Sequence, residues 1–464
     1  MGMFYGVKYR GMRRMREVTH IYSDKGKFWQ KGSVENKEYE DTLEITPKRK
    51  QVIKGFGGCF NEIGWQALGN LAEKNRNSIL DDLFNEDKCA FNVCRLPMGA
   101  SDYALEWHSY DEVPDDYELK NFSIKRDEIY LLPYVKAAIK RNPDLAIFAS
   151  PWSPPTWMKT QRAYNFGKLI WTEKNLTTYA DYFIKYLIAY KELGIRVEQI
   201  HIQNEPLADQ KFPSCLWSGK ELRDFIKYYL GPRMQESEFD TELWFGTING
   251  PFNDFMLEGC APFSEFYDQY INTVLADKEA RKYINGVGFQ WGGKHVIEQT
   301  ELSYPELRLM QTENECGDGK NQWEHAEYVY GLFWHYFQHG VESYIYWNMV
   351  LPEGGISTWG WTQNSMITVN METGQIFYQP EYYVMKHFSH FVKKGAKKVV
   401  TKGHWTSNSI VFENPNGDIV VVVGNAMDKE RELTIKYKKE VFSSIIQAHS
   451  IHTFCIKNDY SKIG

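Results

Sequence analysis

Two acidic residues of this chain each close a short apolar run. Glu205 ends His201-Ile202-Gln203-Asn204-Glu205-Pro206, and Glu313 lies in Met310-Gln311-Thr312-Glu313-Asn314-Glu315. Both runs have the length and composition of β-strands. If the two strands share one rim, their carboxyl groups can work as an acid–base pair. One, kept protonated, donates to a leaving oxygen; the other, kept ionised, attacks or stabilises an electron-poor carbon. Cleavage of a glycosidic bond needs that pair, because its transition state is an oxocarbenium ion with a poor leaving group. Pro206 stops its strand and fixes where Glu205 points. Glu315 lacks such a constraint and reads as a solvated rim carboxylate or a helix-cap partner.

The elements that would position this pair follow a regular rhythm. Eight short runs read as strands: Val52–Cys59, Phe91–Pro97, Leu145–Pro151, Gln199–Asn204, Leu243–Ile248, Gly286–Trp291, Arg308–Glu313 and Ser343–Asn348. Most are β-branched or aromatic and are bounded by Gly, Pro or Asn. Between them lie longer stretches with helical spacing of apolar residues, such as Thr177–Leu193 and Gln322–His339. Strands alternating with helices over this length predict an α/β fold, a (β/α)8 TIM barrel. A doubly wound open sheet is the rival, but no GxGxxG or P-loop follows any of the runs. In a barrel the active site lies at the C-terminal ends of the strands, where strands four and seven would deliver Glu205 and Glu313.

Outside this block the pattern changes. Pro380 through Lys394 reads as an amphipathic helix with Pro at its start and Gly395 at its close. Short alternating strands then follow at Lys398–Thr401, Ser409–Glu413, Asp418–Gly424, Glu432–Tyr437 and Ile451–Ile456, with a hairpin signal at Asn414-Pro415-Asn416-Gly417. Residues 1–50 are also β-rich, Thr42-Leu43-Glu44-Ile45-Thr46 alternating cleanly. The expected layout is a barrel over 51–379 and a side β-domain of sandwich type made from both chain ends, 1–50 and 380–464.

Composition narrows the partners. With 464 residues and a net charge of -6, nothing points to nucleic acid or an anionic membrane. The aromatic fraction of 16% is high and suits either sugar binding on flat ring faces or the packing of a large barrel. Seven scattered cysteines (Cys59, Cys89, Cys94, Cys215, Cys260, Cys316, Cys455) include no CxxC, which argues for a reducing compartment over a disulfide framework or zinc site. No apolar run has signal-peptide or membrane-spanning length, so a cytoplasmic location without membrane insertion is expected. His325, His335 and His339 read as surface or core residues, and neither a catalytic metal nor another cofactor is expected.

Several longer motifs carry a family resemblance. They are GFGGCFNEIGW from Gly55, FNVCRLPMGASDY from Phe91, FASPWSPPTWMKT from Phe148, IQNEP from Ile202, MQTENECG from Met310, YWNMVLPEGG from Tyr346 and FYQPEYYVMKHFSHFVKKGAKKV from Phe377. From about Gly55 onward the chain resembles glycoside hydrolase family 30 of clan A, in particular its glucosylceramidase-like (acid β-glucosidase) members. The resemblance implies a TIM barrel with a side β-domain, with Glu205 as general acid/base and Glu313 as nucleophile. It implies that Asn204 holds the sugar 2-hydroxyl and that Arg95 keeps Glu313 ionised, although Arg95 also fits an ordinary buried barrel salt bridge. Asp102, Trp152 and Trp347 match residues that bind the non-reducing sugar; a loop carboxylate and rim packing are the plainer readings.

Two stretches depart from the family pattern. After strand six, glucosylceramidases carry His-Trp-Tyr, whose Tyr contacts the nucleophile. Here the run is Gln290-Trp291-Gly292, so that contact must be absent or supplied elsewhere. Beyond strand eight, STWGWTQNS from Ser357 replaces a stretch shaping the substrate entrance, and Trp361 stands where a smaller polar residue is usual. Trp291 and Trp361 join the substrate-binding candidates, and ceramide is not implied. The expected activity is a retaining β-glycosidase, with an exo-acting β-glucosidase on small glycosides ranked first. β-Xylosidase and endo-β-1,6-glucanase are the alternatives within the family. A non-catalytic carbohydrate-binding protein is the alternative of another class.

Overall fold

A computed structural model of the chain describes residues 16–251 and 266–458. Cys260 and residues 1–15, both part of the sequence reading, lie outside the described residues. The described chain begins with β1 (Val18–Asp24), β2 (Lys27–Lys31) and β3 (Thr42–Val52). There follow β4 (Gly55–Cys59), β5 (Val93–Met98), β6 (Ala146–Pro151), β7 (Gln199–His201), β8 (Glu242–Ile248), β9 (Gly286–Gln290), β10 (Arg308–Glu313) and β11 (Ser343–Asn348). Three short strands, β12 (Val350–Pro352), β13 (Ile367–Val369) and β14 (Ile376–Tyr378), precede β15 (Lys397–Lys402), β16 (Ser409–Glu413), β17 (Ile419–Asn425), β18 (Arg431–Tyr437), β19 (Glu440–Ile446) and β20 (Ser450–Ile456).

Strands β4 to β11 form the expected barrel. They pair in parallel in the order β10-β9-β8-β7-β6-β5-β4-β11. At the seam between β10 and β11 the Glu342 N–H donates to the Leu309 carbonyl at 2.8 Å and the Asn314 N–H to the Ile345 carbonyl at 3.2 Å. Nearly every residue of these strands is buried, as expected where helices cover the outside and side chains fill the inside. Val93, Ala146, Phe148, Trp244, Met310 and Ile345 pack as one apolar plug. Beside it lies the buried His201 ring, and only glycine fits on the facing strands: a Cβ on Gly246 would come within 2.5 Å of His201 Nδ1. Among the outer helices are Glu173–Glu192, which Thr172 caps by accepting from the Asn175 N–H, and Trp323–Gln338.

The chain divides into two compact units, Lys50–Ala396 and the residues on either side of that span. The helix from Pro380 ends at Ser389 and belongs to the barrel unit, where Phe388 stacks on Phe333 with centroids 4.0 Å apart. The sequence had grouped it with the C-terminal strands; its buried face is instead the complement of barrel aromatic side chains. In the second unit, nine strands among the described residues run in the order β19-β18-β3-β15-β16-β17-β20-β1-β2. Both chain ends contribute, as expected: β1 pairs antiparallel with β20, Val18 facing Ile456, and β3 pairs in parallel with β18, Thr42 facing Thr434. The Asn414–Gly417 turn joins β16 to β17 through the Gly417 N–H to Asn414 carbonyl bond at 2.8 Å, with Gly417 at φ 85°. Trp405, Val411, Val421, Leu433, Ile435, Phe442 and Phe454 share the core of this unit.

Candidate active site

Arg95 is the hub. It projects from the middle of β5 and is completely shielded from solvent. Its Nη1 donates to Glu313 Oε2 at 2.6 Å, and its Nη2 donates to Asn204 Oδ1 at 2.7 Å and Ser150 Oγ at 2.8 Å. The guanidinium carbon also lies 4.5 Å from the centre of the Trp152 ring. A guanidinium so buried is tolerable only because its donors are met by acceptors fixed at the ends of several different strands.

Each carboxylate is delivered by its strand end. Glu313 is the last residue of β10 and is buried. Glu205 lies four residues past β7, with its backbone in the left-handed region at φ 48°. The Glu205 N–H donates to the Thr247 carbonyl at 3.1 Å, and the Asn204 N–H to the Pro151 carbonyl at 2.7 Å. Those bonds hold a conformation that is costly for a non-glycine residue, as is common at functional sites. Gln290, the last residue of β9, places its Nε2 at 3.2 Å from Glu205 Oε1 and at 3.2 Å from Glu313 Oε2. On the other side of Glu313, the Trp291 indole N–H donates to Oε1 at 3.1 Å.

The two carboxyl groups differ electrostatically. Although the Glu205 residue keeps some solvent exposure, burial of its carboxyl pushes its pKa up to about 8, and the Glu313 charge adds to the rise. Burial also pushes Glu313 upward, but the Arg95 guanidinium and the Trp291 and Gln290 donors oppose it. At neutral pH the shared proton therefore resides on Glu205, and Glu313 carries the charge. Asp102, buried in the loop after β5, is likewise pushed up to about 8, first by burial and then by the Glu313 charge.

Rings wall the site. Trp152, just after β6, stacks on Trp347 of β11 with centroids 5.5 Å apart. The loop after β12 is tied to the Asp102 segment: Thr358 donates to the Asp102 carbonyl and Gln363 Nε2 lies 3.4 Å from Asp102 Oδ2. That loop brings Trp361 to 6.5 Å from Trp291 and to 5.1 Å from Trp359, which in turn lies 5.6 Å from Phe212.

Comparison with known proteins agrees with this construction. The model of the glycosyl hydrolase family 30 TIM-barrel domain matches residues 53–392, and that of the glycosyl hydrolase family 30 beta sandwich domain matches residues 395–454. The chain belongs to glycosyl hydrolase family 30. Lysosomal acid glucosylceramidase of Mus musculus is 28% identical over 89% of this chain and 82% of its own length. Endo-1,6-beta-D-glucanase of Neurospora crassa is 26% identical over 91% of this chain and 89% of its own. Among solved structures, SrfJ from Salmonella typhimurium superposes with a TM-score of 0.84 at 25% identity, covering 96% of this chain and all of that one. The protein is thus a glycoside hydrolase.

Of the nine sequence candidates in this family 30 chain, Arg95, Asn204, Glu205, Glu313 and Trp291 meet in one hydrogen-bonded network that includes Gln290, and Trp152 lies beneath Arg95. Trp347 joins them by stacking on Trp152, Trp361 through Trp291, and Asp102 through the loop that carries Trp361. The contact left open after strand six is made by Trp291 itself. Sequence reading missed Gln290 as a site residue, although it stands at a strand C-terminus facing two acids; Thr247 and Ser150, which contact Arg95, were missed too. Glu315 is not solvated: it is buried and paired with Lys294 at 2.6 Å. Among the described residues, no cluster of three or more His, Cys, Asp or Glu could hold a metal ion, and no helix is long and apolar enough to cross a membrane.

Proposed function

We propose that this enzyme is a retaining β-glycosidase working by double displacement. Glu313 attacks the anomeric carbon and the glycosidic C–O bond breaks, while the Glu205 proton passes to the leaving oxygen. Glu205, now ionised, takes a proton from water, whose oxygen displaces Glu313 and releases the sugar with retained configuration. The observation that carries this reading is the single Gln290 nitrogen at 3.2 Å from both carboxylates. Those two oxygens lie within twice that distance of each other, a bound that admits the about 5–5.5 Å carboxyl separation of retaining enzymes. Arg95 keeps the nucleophile charged, Asn204 offers its amide to the sugar 2-hydroxyl, and Trp152, Trp347 and protonated Asp102 line the subsite for the non-reducing sugar.

Within this reaction class the first choice is exo-acting β-glucosidase on small glycosides. The glucosylceramidase relative supports a β-glucoside, and the free, buried Cys59, Cys89, Cys94, Cys215 and Cys316 support a reducing, cytoplasmic setting that polymers do not enter. Endo-β-1,6-glucanase is the second reading, favoured by the Neurospora crassa relative of that name. β-Xylosidase is the third candidate. Mass spectrometry after treatment with a 2-deoxy-2-fluoro-glycoside tests the mechanism: the adduct is expected on the peptide containing Glu313, and an adduct elsewhere overturns the assignment. Glu313→Gln should abolish turnover while leaving folding intact. A panel of aryl β-glycosides and β-1,6-linked oligosaccharides ranks the substrates.

A further inference from the structure

The amide of Gln290 is oriented by its surroundings. Its Oε1 accepts from Arg95 Nη1 at 3.3 Å and from Thr312 Oγ1 at 3.0 Å. Arginine has no acceptor to offer, so the flipped amide would set NH2 against guanidinium and a carbonyl against two carboxylates. The Nε2 therefore faces Glu205 Oε1, Glu313 Oε2 and Asn204 Oδ1, each at 3.2 Å. An amide nitrogen carries two hydrogens, so three acceptors compete for two bonds.

We propose that Gln290 is a positioning residue that passes one hydrogen bond between the two carboxylates as the reaction proceeds. This rests on the double-displacement reading given above. In the free enzyme Glu313 carries the charge and Glu205 the proton, and the N–H serves Glu313. In the glycosyl-enzyme Glu313 is a neutral ester and Glu205 is ionised, so the same N–H serves Glu205 without a change of rotamer. A donor already in place costs no reorganisation at either step, whereas water would have to move with the charge. A glutamine also does this without titrating. A histidine at this position would bring a further proton equilibrium into a cluster that already holds Arg95, Asp102 and His201, with Cys59 and Cys316 beside them. Consistent with that geometry, the Gln290 donor holds both carboxyl groups below where burial alone would set them.

The test is Gln290→Met, close in length but without a donor, assayed on 2,4-dinitrophenyl β-D-glucoside, or on the β-D-xyloside if the wild type turns that over faster. With so good a leaving group, kcat reports deglycosylation and kcat/KM reports glycosylation. Both should fall about tenfold or more, and the acid limbs of both profiles, set by Glu313 in kcat/KM and by Glu205 in kcat, should move to higher pH. A fall in kcat/KM alone would mean that Gln290 serves only the nucleophile, and an unmoved profile would mean that it is merely structural; either overturns the proposal. Thr312→Val, which removes one of the two bonds orienting the amide, should give a smaller shift in the same direction. It decides the matter if Gln290→Met does not fold, because an unmoved Thr312→Val profile then overturns the proposal. Labelling of wild-type Glu313 by the 2-fluoro-glycoside is scored separately, so failure of the underlying mechanism is distinguishable from failure of the Gln290 role.

Discussion

Trp291 and Glu313 are joined by an indole N–H bond of 3.1 Å to Oε1, made from a Trp291 backbone held at φ 45°. Arg95 grips the other oxygen of that carboxylate at 2.6 Å. Each Glu313 oxygen thus has its own strong donor, one a cation and one neutral. This division lets the contributions of charge and hydrogen bonding be separated by mutation.

Trp291→Phe keeps the ring and deletes the N–H. Loss of a bond to an ionised partner is worth about 1.5–3 kcal/mol. The expected result is a kcat/KM near neutral pH lowered about tenfold or more, with the acid limb of the profile moved upward because ionised Glu313 is less favoured. Rates measured from pH 4 to 9 check it.

Arg95→Met should act on the fold as well as on the chemistry. Removing one partner of a buried ion pair leaves the other uncompensated and typically costs about 3–5 kcal/mol. Adding Glu313→Gln to Arg95→Met should recover part of that loss. A urea-unfolding double-mutant cycle measures the coupling, and strictly additive effects would contradict the geometry.

The alkaline limb of kcat/KM should fall near pH 8, where Glu205 loses the proton that it must donate. The same shift governs stability. A carboxyl whose folded pKa is raised from 4.5 to about 8 favours the folded state below its unfolded value, and that contribution is lost as pH rises through the folded one. Glu205→Gln should therefore be more stable than wild type at pH 8, by roughly 1 kcal/mol or more. The difference should shrink toward pH 5. Thermal melts across this range give the answer.

Trp361 keeps a third of its surface exposed and meets Trp291 at a tilt of 40° at the site's ring wall. Trp361→Ala should raise KM by about fivefold, the worth of roughly 1 kcal/mol of ring contact. Turnover should change little, since the ring touches neither carboxylate. Steady-state kinetics on aryl glycosides and on β-1,6-linked oligosaccharides would show which leaving group uses it.

Much of this architecture could be read from residues alone, for identifiable reasons. The barrel strands are short β-branched or aromatic runs with sharp Gly, Pro or Asn boundaries, and all eight were found, β10 and β11 to the residue. Glu205 and Glu313 were legible because strand ends in a barrel filter position. Strand β19 was missed: its Ser443 and Ser444 are buried polar residues that break apolar alternation, and they are satisfied by backbone carbonyls far away in sequence. Gln290 was missed because a neutral amide bears no mark of catalysis until its neighbours are known. Glu315 was misread for the same reason, since its partner Lys294 sits on the segment after a different strand.

The nine-stranded sheet imposes an order on synthesis. Strands β1 and β3 leave the ribosome before any barrel strand, yet their partners β20 and β18 emerge only after the last of them. Every barrel strand, from β4 to β11, is complete in between. The catalytic unit can thus assemble first, while the early strands wait with unpaired edges, the state in which a nascent chain is most prone to stick to its neighbours.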